Sequence, residues 1–261
     1  METQIIYILV GVLGLAVGSF LNVLIYRIPR HKGFSLSRSR CPSCEATIGL
    51  FDNIPLISFL ILGGRCRHCG GKISLRYPLV ELLNAAAWLF FFWNYGLSIS
   101  FPAASFLASV LIVIFFIDLD FQIIPDVITL PGIAVGLLFS LLPSGLGFLQ
   151  ALLGLLAGGG ILYLIAVLGD RLFRKESMGG GDIKMAAMLG AFLGWQKVIL
   201  VFFASAALGL VISLIIMVFS KKLRTSRVVP FGPFLAVAAF LAIIFGDTII
   251  AFYVNNFLIP A

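Results

Sequence analysis

Seven apolar stretches, at 4–28, 78–95, 101–117, 127–143, 148–169, 198–220 and 231–254, occupy most of the chain. Each reaches or approaches the length of about 20 residues that a helix needs to cross a bilayer. An eighth, 183–197, is shorter and rich in glycine. Lipid offers no partner for backbone N–H and C=O groups, so repeated apolar segments of this length commit the chain to membrane helices. Composition agrees: 61% of the 261 residues are hydrophobic and 11% are charged. A soluble domain carries about 25% charged residues. Disordered, collagenous and ordinary globular classes are excluded. The expected fold is an all-α polytopic membrane protein of about eight transmembrane helices. The first helix is expected to be retained, because no basic region precedes it and no small-residue cleavage site follows it.

The net charge of +7 would suggest nucleic acid as a partner in a soluble protein. In a membrane protein it is an orientation signal, and no nucleic-acid partner is expected. Arg27, Arg30, Lys32, Arg38, Arg40, Arg65, Arg67, Lys72 and Arg76 surround the one large polar interruption. Arg171, Arg174, Lys175 and Lys184 form a second group, and Lys221, Lys222, Arg224 and Arg227 a third. With eight spans all three fall on one side and only Lys197 lies opposite. That side is expected to be the cytoplasm, with both termini outside, and the agreement supports the short eighth span. Three regions follow: a first helix at 1–28, a small inserted domain at 29–77, and a seven-helix membrane domain at 78–261.

The inserted domain contains Cys41-Pro-Ser-Cys44 and Cys66-Arg-His-Cys69. Two C-x2-C knuckles can turn four sulfurs toward one tetrahedral zinc. Gly63-Gly64 and Gly70-Gly71 suit the tight turns of such knuckles. A reducing compartment disfavours disulfides. The competing readings are a reduced, metal-free quartet and a redox C-x-x-C, which lacks its usual βαβ setting here. One structural zinc per chain, held by Cys41, Cys44, Cys66 and Cys69, leaves no open coordination position for chemistry. It would instead crosslink a domain too small to build a large core. His68 either replaces a ligand or faces solvent. The apolar segment 54–62 is too short to span, and forms a strand of this domain or rests on the membrane surface.

With so few acids, those beside apolar segments are informative. Asp118, Asp120 and Asp126 end the third span and open the fourth. Asp182 follows Gly179-Gly180-Gly181 in the turn before the short span. The topology brings both groups to the cytoplasmic boundary. Two carboxyls held together share one proton, so one can activate water while the other polarises a peptide carbonyl. That is aspartic-protease chemistry, requiring neither serine, histidine nor metal. Each acid also has a plainer role. Asp126 follows Pro125 and suits an N-cap; Asp120 points away from Asp118 on a helix; Asp182 can cap its own helix. Glu81, one turn into the second span, pairs with a loop arginine or belongs to a polar site. Ser19 and Asn22 suit helix-packing hydrogen bonds, and Asp247 a solvated helix end.

These blocks, in this order, closely resemble the bacterial type IV prepilin leader peptidase/N-methyltransferases, integral-membrane aspartic proteases of the GxGD type. The resemblance rests on GLAVGSFLNVLIYRIP (14–29), the knuckles with DNIPLISFLILGGRCRHC, RYPLVELL, IDLDFQIIPDVITLP, MGGGDIKMAAMLG and PFGPFLA. It covers nearly the whole chain. It implies eight transmembrane helices in the bacterial inner membrane, with the zinc domain and the active aspartates facing the cytoplasm. It also implies cleavage of the basic leader from type IV prepilins and pseudopilins, then methylation of the new N-terminus from S-adenosylmethionine. Asp118 and Asp182 match the family's catalytic pair. Asp120 and Asp126 match accessory acids, and Gly179 and Gly181 frame Asp182. Gly14, Gly18 and Glu81 lie in blocks associated with the bifunctional form. The donor-binding residues, the particular pilin and the oligomeric state are not legible.

Three rivals make different demands. A methyltransferase with an inactive protease site would methylate a pre-cut pilin without Asp118. A transporter using intramembrane acids as a proton relay should space those acids through the membrane. A scaffold for pilus assembly should tolerate loss of both aspartates.

Overall fold

The computed structural model describes residues 2–32, 39–143, 145–175, 178–219 and 230–258. Arg38 and the third basic group (Lys221, Lys222, Arg224 and Arg227) lie outside the described residues. The chain divides into two compact units, Met1–Val113 and Ile114–Ala261.

The first unit contains α1 (Glu2–Arg27), a one-turn α2 (Ile57–Ile61), α3 (Arg76–Tyr95) and most of α4 (Ser100–Phe121). Helices α1 and α3 pack antiparallel through small residues. A Cβ added at Gly14 would lie 2.8 Å from Ala85 Cα, and one at Gly18 would lie 2.7 Å from Glu81 Cα. Both helices therefore present positions four residues apart, so their backbones approach along one seam. Polar side chains clasp it: Asn84 donates to the Gly14 carbonyl at 2.7 Å, and Asn22 to the Tyr77 carbonyl at 3.0 Å. Ser109 of α4 donates to Asn84 Oδ1 at 2.7 Å and accepts from Trp88 Nε1 at 3.1 Å. Each bond satisfies a polar group that lipid would leave unpaired.

The second unit contains the end of α4, α5 (Asp126–Ser140), α6 (Phe148–Phe173), α7 (Gly180–Phe219) and α8 (Gly232–Tyr253). The same spacing sets its packing. Gly154 and Gly158 of α6 meet Gly190 and Ala186 of α7 so closely that an added Cβ would overlap the opposing backbone. Gly132 and Gly136 of α5 receive Met188 and Phe192 of α7. Helix α7 thus lies antiparallel to α6 and parallel to α5, which brings the N-termini of α5 and α7 to one end.

Among the described residues, five helices are long and apolar enough to cross a membrane: α1, α4, α6, α7 and α8. Helix α5 is apolar but has 15 residues. Helix α3, interrupted by Glu81, Asn84 and Asn94, is not among the five. The expected segments 183–197 and 198–220 fall in α7, two helical stretches that meet at a kink at Gly194 (φ 80°, ψ 170°). Glycine at that position permits a backbone conformation that a side chain would oppose. Among the described residues no strand ladder forms; only two isolated bridges occur, both in the cysteine region. The strand alternative for 54–62 is therefore corrected: this segment turns and then forms α2, because Ser58 bonds the Phe51 and Ile54 carbonyls and closes a local turn.

Candidate active site and cysteine centre

The two knuckles repeat one geometry. Cys41 N–H bonds the Ala46 carbonyl and Glu45 N–H the Cys41 carbonyl; Cys66 N–H bonds Gly71 and Gly70 N–H bonds Cys66 in the same way. The bridges Arg40–Thr47 and Arg65–Lys72 close the two turns identically. The fifth position of each knuckle has positive φ, 69° at Gly70 and 57° at Glu45. Glycine meets that demand at one knuckle and a strained glutamate at the other.

All four Sγ atoms lie within 4.8 Å of one another, with Cys41 and Cys69 3.9 Å apart. Four thiolates about 2.3 Å from one zinc would stand about 3.8 Å apart, so the donor set fits a tetrahedral ion after slight closure. Backbone N–H groups of Cys44 and Ser43 favour the Cys41 thiolate and lower its pKa to about 6. His68 is exposed and outside the sulfur cluster. Asp52 receives a bidentate Arg67 guanidinium, at 2.7 and 3.0 Å, linking the Phe51–Asn53 turn to the second knuckle.

In the second unit, Asp118 ends α4 and Asp182 occupies the first turn of α7. Asp118 is 5% exposed and accepts the Gly232 N–H. Asp182 is half-buried; its own N–H donates to the Gly179 carbonyl at 3.1 Å, and its carboxylate accepts the Gly179 N–H. The two carboxylates lie within electrostatic reach of each other. Three glycines leave room around the two acids. A Cβ at Gly232 would stand 2.5 Å from Asp118 Oδ2 and 3.0 Å from Ile124 Cδ1. One at Gly181 would stand 2.9 Å from Ile124 Cβ, and one at Gly179 3.3 Å from Asp182 Oδ2. Ile124 therefore packs between Gly181 at the start of α7 and Gly232 at the start of α8.

The accessory acids separate. Asp120 is exposed. Asp126 does not cap α5: Pro125 occupies the N-cap position, and Asp126 pairs instead with Lys184 at 2.6 Å. That ion pair joins the first turns of α5 and α7. Asp247, read from sequence as a solvated end, pairs with Lys197 at 2.8 Å while remaining exposed. Glu81 belongs to a polar site: its carboxylate accepts the Leu56 N–H and the Ser19 hydroxyl. Sequence reasoning missed Gly232 and Ile124 as neighbours of Asp118. The PFG turn before the last helix was the available signal.

Comparison with known proteins gives the same partition. Residues 12–95 match the bacterial peptidase A24 N-terminal domain, and residues 105–214 match the type IV leader peptidase family. A prepilin leader peptidase/N-methyltransferase from Aeromonas hydrophila is 38% identical over 274 residues, covering 96% of this chain and 94% of the relative. The protein of that name from Legionella pneumophila is 35% identical, covering 95% and 94%. The Neisseria gonorrhoeae protein is 37% identical, covering 92% and 91%. No solved structure matches. With two family matches in series and similarity along nearly its whole length, this chain belongs to the type IV leader peptidase family.

Proposed function

We propose that the protein removes the leader from type IV prepilins and pseudopilins at the cytoplasmic face of the bacterial inner membrane and then methylates the new N-terminus. What supports it is that Asp118 of α4 and Asp182 of α7 lie within electrostatic reach of each other beside Gly179 and Gly232, among apolar helices. Two adjacent carboxyls hold one proton between them. The ionised member takes a proton from water as that water attacks the scissile carbonyl. The protonated member donates a hydrogen bond to the developing oxyanion, then gives its proton to the departing amine. Gly232 N–H fixes Asp118, and Gly179 N–H fixes Asp182, so the pair reorganises little.

Eight membrane crossings complete this reading, with α3, α5 and both parts of α7 joining α1, α4, α6 and α8. The polar seam of α3 faces α1 rather than lipid, which reconciles Glu81 and Asn84 with a crossing. The basic segments support a cytoplasmic position for the cysteine region and the aspartates. A single zinc on Cys41, Cys44, Cys66 and Cys69 crosslinks the knuckles and has no open position for catalysis. Methyl transfer falls to the Met1–Val113 unit, because the peptidase-family match covers both aspartates and leaves the knuckles outside it. S-adenosylmethionine supplies an electrophilic methyl group for that step.

Incubating the purified protein in lipid with a prepilin and S-adenosylmethionine tests the assignment by mass spectrometry. Loss of the leader and gain of one methyl group at the new N-terminus are expected. An intact prepilin after prolonged incubation would contradict it.

A further inference from the structure

Glu81 is a buried carboxylate with no part in the peptidase chemistry above. It stands on α3, 7% exposed, and its Oε2 accepts the Leu56 N–H at 2.9 Å. The Ser19 hydroxyl of α1 donates to the same carboxylate. Asp52 is already engaged by Arg67, and Glu45 is exposed. Glu81 is therefore the acid of this unit that joins the inserted region to the helices.

Its partner is unusual. Leu56 has φ 58° and ψ −48°, while Ile57 N–H points back to the Pro55 carbonyl at 2.6 Å. Leu56 is thus the centre of a γ-turn of the positive-φ kind, a strained conformation for a residue with a side chain. Such a conformation persists where its surroundings over-determine it. The Glu81 carboxylate provides that restraint from a firm base, since the Cα of Glu81 presses on Gly18 and Asn84 clasps α1 one turn farther along. The turn redirects the chain from Phe51–Asn53 into α2, and so toward Cys66. It lies in the segment between the two cysteine pairs.

We propose that Glu81 is a positioning residue for methyl transfer: by holding the Leu56 N–H it fixes the knuckle region on the α1–α3 seam. The proposal rests on the assignment of methyl transfer to the Met1–Val113 unit. What it requires is an acceptor oxygen at the reach of a glutamate, not a negative charge. The substitution Glu81→Gln retains that oxygen, Glu81→Asp places it one methylene short, and Glu81→Ala removes it.

The test uses the full chain in lipid, a prepilin and methyl-labelled S-adenosylmethionine, with cleavage and methylation followed in the same samples. Loss of a hydrogen bond to a charged acceptor predicts methylation down by about tenfold or more in Glu81→Asp and Glu81→Ala, and within about threefold of wild type in Glu81→Gln. Cleavage stays at the wild-type rate in all three, which also reports that each has folded. Hydrogen exchange supplies an independent reading: amides of 54–62 exchange faster in Glu81→Asp and Glu81→Ala but not in Glu81→Gln. The proposal is overturned if Glu81→Ala methylates normally, if cleavage falls in parallel with methylation, or if Glu81→Gln is as defective as Glu81→Ala. A Cys66→Ser variant separates the two levels. If it loses methylation while Glu81→Ala keeps it, only the Glu81 proposal fails. If Cys66→Ser methylates at the wild-type rate, the assignment to this unit fails as well.

Discussion

The Gly232 N–H, at the start of α8, donates to the carboxylate of Asp118 at the end of α4, and no side chain fits between them. A Cβ at residue 232 would lie 2.5 Å from Asp118 Oδ2. Gly232→Ala should therefore displace the aspartate or its neighbour Ile124. Misplacement of a reacting group by about 1 Å can cost about 10²-fold in rate. The expected result is a fall in the cleavage rate of that order with zinc content unchanged. Wild-type cleavage would show that Asp118 does not need this donor.

The Asp126–Lys184 pair ties the first turns of α5 and α7 together two residues from Asp182. Both side chains are partly exposed, 53% and 40%, so their coupling should be modest, about 0.2–1 kcal/mol. Asp126→Lys and Lys184→Asp should each slow cleavage by a few fold, and the double exchange should restore part of the loss. A double-mutant cycle on cleavage rates measures this coupling; additive single effects would rule the pair out as a brace.

Helix packing gives a prediction with its own control. Gly190 faces the Gly154 carbonyl without room for a Cβ, whereas an added Cβ at Gly160, on the same α6, meets nothing within 4 Å. Gly190→Leu should destabilise the protein by about 1–3 kcal/mol or more, while Gly160→Leu is tolerated. Thermal unfolding in detergent should show a clear drop in midpoint for the first and little change for the second. Equal behaviour would contradict the crossing.

In the knuckle region, Arg67 holds the Asp52 carboxyl below the usual carboxylate range. A group whose folded pKa is lowered contributes fully above its unfolded value, about 3.9 for aspartate, and loses that contribution as pH falls through the lower folded value. At pH 7 the contribution is complete. Asp52→Asn should then speed zinc release to a chelator at neutral pH, and added salt should narrow the difference because the pair is exposed. A release rate independent of both the substitution and salt would remove the pair from the zinc domain's stability.

The sequence carried the membrane character and the cysteine knuckles because each depends on residue type at short spacing, whereas Asp118 and Asp182, far apart in the chain, were paired only through topology and resemblance. Apolar runs announce membrane helices, and C-x2-C pairs announce a sulfur cluster. The crossings were less legible, although their small residues were in plain view. Gly154, Gly158, Ala186 and Gly190 reveal their purpose only when α6 and α7 are laid antiparallel, and chain order does not give that register. Asp126 resembled an N-cap because Pro125 precedes it; a tertiary partner, Lys184, claimed its carboxylate instead. The break in α7 falls at Gly194, inside the apolar run expected to continue to 197, since hydrophobicity does not record backbone angles. Leu56 gave no sign of its positive φ because leucine ordinarily avoids it.

The two-aspartate mechanism is tested most directly by cleavage of a purified prepilin by wild type, Asp118→Asn and Asp182→Asn proteins, each matched for folding and zinc content. Removal of either acid–base partner should cost about 10²–10⁴-fold in cleavage, while methylation of a pre-cut pilin survives. Near wild-type cleavage by either variant would contradict the mechanism and move the chemistry to other residues.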